Sequence, residues 1–184
     1  MGHFSIIKGT IKGLYVIEPK VFEDERGYFM ETYSVRDFES HGIKMEFVQD
    51  NQSKSQRGVL RGLHFQKNYP QAKLVRVLRG EIFDVAVDVR KNSPTFGKWQ
   101  GVYLSEWNRK QFLISEGFAH GFLTLSDEAE VLYKCNEYYH PEDDEGVIWN
   151  DIAIAIDWPL DKVREVILSE KDGKLPKLKD ALVF

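Results

Sequence analysis

The chain has 184 residues, 42% hydrophobic and 13% aromatic, with 29 acidic residues against 25 Lys and Arg for a net charge of −4. That length suits one core, so residues 1–184 are expected to form a single domain, and the apolar content argues against disorder. The acidic balance speaks against a nucleic-acid partner and no apolar run approaches the roughly 20 residues of a membrane span; the single cysteine, Cys135, and the lack of a signal-peptide core predict a cytoplasmic location.

In chain order, alternations at Ile6-Ile7 and Leu14-Tyr15-Val16-Ile17, broken by Gly9, Gly13 and Pro19, predict strands. Phe22-Glu-Asp-Glu-Arg-Gly-Tyr-Phe29 predicts an acidic turn ending in Arg26-Gly27, then a strand through Tyr28, Met30 and Glu31. Ser34 is a candidate cap for a short helix over 35–40, with Asp37 in its first turn and Gly42 past its end. Residues 47–53 pass from apolar to polar in one strand length, so Gln49 and Asn51 are expected to face the same way. The polar residues 53–56 are expected to be a loop.

The stretch Gly58-Val-Leu-Arg-Gly-Leu-His-Phe-Gln66 reads as a strand. A two-residue period puts Leu60, Gly62, His64 and Gln66 on one face and Arg61, Leu63 and Phe65 on the other; a bulge at Gly62 would bring Arg61 round to the first. An imidazole and an amide beside a small residue suit a cavity wall, and a half-buried strand with a satisfied histidine has the same pattern. In 73–79 alternation puts Lys73, Val75, Val77 and Arg79 together. Lys73 is then either inside, meeting an anion or polar ligand, or reaching water from a strand end.

Residues 82–89 form the next predicted strand, 99–104 and 111–114 a pair joined by 105–110, and 116–121 a turn carrying His120. A long strand is expected over 130–139, an acidic loop over 141–146, short strands within 148–158, and a helical or irregular tail from Pro159. Strands recurring every roughly 8–12 residues with turn signals between them argue for an antiparallel sandwich or barrel of the jelly-roll kind. Such barrels hold ligands inside, so the inward polar candidates are His64, Gln66, Lys73, His120, Tyr133 and the Tyr138-Tyr139 pair. Two separated histidines and an amide make a poor cage for zinc or iron, so no metal is expected.

Phe22-Glu-Asp-Glu-Arg-Gly-Tyr-Phe29, Gln49-Asp-Asn51, the 58–66 stretch, Lys73, Gly117-Phe-Ala-His-Gly-Phe122, Tyr133-Lys134, Trp149-Asn-Asp151 and Leu168-Ser-Glu-Lys-Asp172 together resemble the dTDP-4-dehydrorhamnose 3,5-epimerase family. The resemblance implies an all-β, cupin-type jelly-roll barrel with a few short helices, mainly in the C-terminal tail. It also implies a homodimer whose sites share residues from both chains, without metal or other cofactor, acting on dTDP-4-dehydro-6-deoxy-glucose. By the same resemblance His64 is the base, paired with Asp172, Tyr133 is the acid, and Lys73 stabilises charge developing on O4. Arg26, Glu31, Gln49, Asp50, Asn51, Arg61, His120 and Lys171 would contact the ligand, and Tyr139 would stack on thymine. Where a Glu is expected in the acidic loop the chain has Asp144 followed by Glu145, and either suits that contact. A single-site C3 or C5 epimerase and a non-catalytic nucleotide-sugar-binding barrel are the alternatives.

Overall fold

The computed structural model describes residues 3–184. Among them, thirteen strands build two facing antiparallel sheets and a separate hairpin. The six-stranded sheet runs β1 (Phe4–Lys8), β2 (Leu14–Pro19), β10 (Gln111–Ile114), β7 (Lys73–Arg79), β12 (Glu128–Cys135), β5 (Gln49–Gln56). The five-stranded sheet runs β13 (Asp144–Gly146), β6 (Leu60–Gln66), β11 (Phe118–Thr124), β8 (Glu81–Asp88), β9 (Trp99–Ser105). β3 (Val21–Asp24) and β4 (Gly27–Met30) form the hairpin. This is the jelly-roll arrangement expected from the strand cadence. No helix among the described residues is long and apolar enough to cross a membrane.

Apolar side chains fill three layers. Val75, Phe112, Phe122 and Val131 pack between the sheets. Outside the six-stranded sheet, Phe38 of α1 (Val35–Ser40) and Ile43 cover Leu74 and Leu113. Outside the five-stranded sheet, the tail lays Ile154, Trp158, Leu178 and Val183 over Phe65, Val85 and Leu123. That covering explains why β8 and β11 are buried on both faces, a pattern more usual in parallel sheets. α1 is capped as expected, with Ser34 Oγ accepting from the Asp37 amide at 3.4 Å. Short 3-10 turns at Leu160–Lys162, Asp172–Lys174 and Leu178–Asp180 punctuate the tail.

Several local expectations are corrected. Residues 53–56 are strand, not loop: β5 pairs with β12 along its whole length, and Lys54 is ion-paired with Glu128 at 2.8 Å, so cross-strand charge supports a polar edge. β9 and β10 do not pair with each other. Asn108 turns the chain from one sheet to the other, its Oδ1 accepting from the Ser105 and Lys110 amides. Residues 21–24 belong to the hairpin rather than to a turn, and His120 lies within β11 rather than before a strand. β12 ends at Cys135, so Tyr138 and Tyr139 follow it. Part of the acidic loop is strand β13, and 148–158 carries turns where short strands were expected.

Candidate active site

Glycine sets the entrance geometry. A Cβ on Gly62 would come within 2.6 Å of Gly121 Cα, and one on Gly121 within 2.5 Å of Arg61 O, so β6 and β11 approach there through two bare backbones. Register shifts at the same point: His64 is opposite His120, whereas Arg61 is opposite Phe122. Three steps on β6 match two on β11. The bulge turns Arg61 to the side that His64 lines, as a bulge at Gly62 was expected to do.

The result is a cavity of about 590 Å³ between the two sheets. Gln49, Asn51, Lys73 and Tyr133 reach it from the six-stranded sheet; Arg61, His64, Gln66, His120 and Asp144 reach it from the other. Tyr139 and Asp172 complete the wall. On β5, alternation sends Gln49 and Asn51 inward, hydrogen-bonded to each other at 2.9 Å, and Asp50 outward to Lys134 at 2.9 Å. Asp50 therefore does not line this cavity.

His64 is bonded through Nε2 to Asp172 Oδ1 at 2.8 Å. Asp172 Oδ2 accepts from the Gly62 amide at 3.4 Å. The tail positions Asp172 by bridging Val59 with Ile167 and then turning in over β6. Burial pushes the Asp172 carboxyl up, but the hydrogen bond and charge of His64 and the Gly62 amide outweigh it and hold Asp172 below the usual carboxylate range. An ionised carboxylate only accepts, so Nε2 carries the hydrogen and Nδ1 keeps its lone pair. Nδ1 has no hydrogen-bond partner among the described residues, and Asp144 Oδ1 lies 3.6 Å from it. That nitrogen is itself buried, so it can take a proton only from a group packed directly against the ring.

Tyr133 stands on the opposite sheet. Burial first, then neighbouring Cys135, push its phenol above its ordinary value, so it stays protonated and can donate. Burial pushes the Lys73 ammonium down, while Cys135, Asp144 and Asp84 pull it back up. Lys73 is half-buried at the start of β7 and lines the cavity. Cys135 is fully buried and its Sγ accepts from Asn51 Nδ2 at 3.7 Å.

Asp84 was not anticipated. It is wholly buried in β8 and accepts from His120 Nε2 at 2.7 Å; its second oxygen finds no partner among the described residues. Burial pushes its carboxyl up against the opposing pull of His120 and Lys73. The sequence signal was an acid in the middle of an otherwise apolar strand, which a fold tolerates only with a partner.

The remaining expected residues sort by position. Tyr139 Oη donates to Asp144 Oδ2 at 2.9 Å and Lys171 Nζ reaches the same oxygen at 2.6 Å, on the rim. The β13 pairing sends Asp144 inward, where it lines the cavity, and the adjacent Glu145 to the other face. Tyr138 is exposed and off the wall. Arg26 sits in the β3–β4 hairpin turn against Asp24, and Glu31 pairs with His3 at 2.7 Å; neither lines this cavity.

Fold and cavity together define a cupin-type jelly roll with titratable groups on facing walls. The sequence profile described as dTDP-4-dehydrorhamnose 3,5-epimerase matches residues 8–180. The chain belongs to that family. It is 59% identical over 184 residues, all of both chains, to the dTDP-4-dehydrorhamnose 3,5-epimerase of Methanothermobacter thermautotrophicus. It superposes with a TM-score of 0.93 on the dTDP-6-deoxy-D-glucose-3,5-epimerase of Legionella pneumophila in complex with dTDP-4-keto-L-rhamnose, at 52% identity, covering 97% of this chain and 94% of that one. A 3'-monoepimerase from Streptomyces bikiniensis in complex with dTDP-quinovose is similar at 34% identity and a TM-score of 0.88, covering 94% and 87%.

Proposed function

We infer that this chain inverts C3 and C5 of dTDP-4-dehydro-6-deoxy-D-glucose to give dTDP-4-dehydro-L-rhamnose, in dTDP-L-rhamnose biosynthesis. The observation that carries the reading is that His64 on β6 and Tyr133 on β12 line one cavity from facing sheets. Both carbons adjoin the C4 ketone, so each can lose its proton to form an enolate. Inversion needs the new proton to arrive from the opposite face, and two groups on opposite walls supply that. His64 removes the proton through Nδ1, with Asp172 holding the tautomer and stabilising the imidazolium. Tyr133 returns a proton from the other side. Lys73 stabilises the charge on O4, a type of contribution worth typically about 3–4 kcal/mol per donor.

At the nucleotide end, Arg61 suits the pyrophosphate, Gln49 and Asn51 the nucleoside, and Tyr139 stacking on thymine. His120, Asp144 and Lys171 complete the ligand contacts. We further propose a single domain over 1–184, working as a homodimer in the cytoplasm. Arg26, Glu31 and Asp50 stand outside this cavity, and Phe22, Tyr28 and Phe29 on the hairpin are exposed, an arrangement suited to completing the site of a second copy.

Reaction in deuterated water followed by NMR tests the function. Label at both C3 and C5 is expected, and activity should survive EDTA. Label at one carbon alone would assign a single-site epimerase, and no label would leave a binding protein.

A further inference from the structure

Two inversions on one ring pose a problem that one does not. On the reading above, on which this inference rests, His64 holds the abstracted proton after the first inversion and Tyr133 has lost its own. Both must be reset before the second carbon can react. Asp172 occupies Nε2, so the abstracted proton sits on Nδ1. The carboxylate beyond Nδ1 is Asp144, with Oδ1 at 3.6 Å.

The fold fixes that carboxylate in place. Gly146 pairs with His64 and Asp144 with Gln66 across β13 and β6, which holds Asp144 one alternation from the base. Its Oδ2 is bonded to Lys171 and Tyr139, both half exposed on the rim, while the Asp144 side chain itself is 13% exposed. One oxygen therefore faces the base and the other faces groups in contact with water. The other carboxylates near the base offer no such exit. Asp172 is 5% exposed with its oxygens on His64 and the Gly62 amide, and Asp84 is sealed against His120.

We propose that Asp144 is a proton relay that discharges His64 between the two inversions. A shift of under about 1 Å brings Oδ1 to the ~2.8 Å of a charge-assisted hydrogen bond. The Nδ1–H bond breaks and an Oδ1–H bond forms, leaving a neutral imidazole and a neutral carboxyl. Rotation of the neutral Asp144 carboxyl then turns its O–H to the rim, where the proton passes to water, and the Tyr133 phenolate takes one from water, so no net proton is gained. Asp144 acts through His64, not on the sugar.

The test is D144N turning over saturating dTDP-4-dehydro-6-deoxy-glucose in deuterated water, with label and configuration read at C3 and C5. The second inversion is expected to fall roughly a hundredfold further than the first, so that singly inverted sugar nucleotide accumulates. Formate added to D144A should restore the second inversion without accelerating wild type, and D144E should restore it unaided. Equal loss at both carbons without rescue overturns the proposal, leaving Asp144 to hold only Tyr139 and Lys171. So does a wild-type ratio of the two inversions in D144N. Thermal melts identify a variant that has not folded, in which case the remaining two carry the test. Wild type that labels one carbon or none fails the function itself, before any variant is compared.

Discussion

His64 and His120 stand opposite each other on β6 and β11, each bonded through Nε2 to an aspartate, at 2.8 and 2.7 Å. Chemically the pairs are the same, and their surroundings separate them. The partner of His64 arrives from the tail, receives a backbone amide and is held ionised, while Nδ1 of the ring is left free. The partner of His120 is sealed inside β8 with one oxygen unpaired, and burial drives it toward its neutral form. On the proposed function the first pair takes up a proton during turnover, while the second is a fixed polar contact. Environment rather than residue type assigns the roles.

The largest effect should come from breaking the first pair. His64→Ala should abolish deuterium incorporation at both carbons, by more than about a hundredfold, with dTDP affinity within a few-fold because the base is remote from the pyrophosphate. His120→Ala should fall less, and equal losses would erase the distinction. Next, Asp172→Asn should lower turnover by about a hundredfold, whereas Asp84→Asn, which still accepts from His120, should stay within about tenfold in the same assay.

A third buried aspartate calibrates the stability side. Asp88 accepts from Arg90, Ser93 and Thr95, and although burial raises its carboxyl, those bonds lower it to about 2. A depressed folded-state value stabilises above the unfolded value and is lost as pH falls, so about 2 kcal/mol should disappear between roughly pH 4 and 2, and Asp88→Asn should flatten that limb in acid-melting curves. The smallest effect is a difference in sign. Asp172 is depressed, so Asp172→Asn should melt lower than wild type at neutral pH. Asp84 is raised, which penalises the folded state above its unfolded value, so Asp84→Asn should melt no lower than wild type at pH 7. A lower melt for Asp84→Asn would show its charge to be stabilising.

Local features were legible in the sequence where one strand carries the information. His64 and Gln66 share the cavity wall, Gln49 and Asn51 face together, and Ser34 caps α1, all from spacing alone. Asp172 was linked to His64 only through family resemblance, because a contact across 108 positions leaves no periodicity to read. Asp84 was missed for the same reason, its partner lying 36 residues on in another strand. Polarity misled at 53–56, where an edge strand needs no apolar face, and chain proximity misled at β9 and β10, whose linker crosses between sheets.

The tail that covers the five-stranded sheet also delivers Asp172, so the barrel can close before it is competent. During refolding, sheet signal should return ahead of turnover, since the last segment must dock across a long sequence separation. A protease nick in the turn at Leu160–Lys162 would spare the strands yet leave His64 without its carboxylate: a shell that still looks native by its β content and is chemically silent.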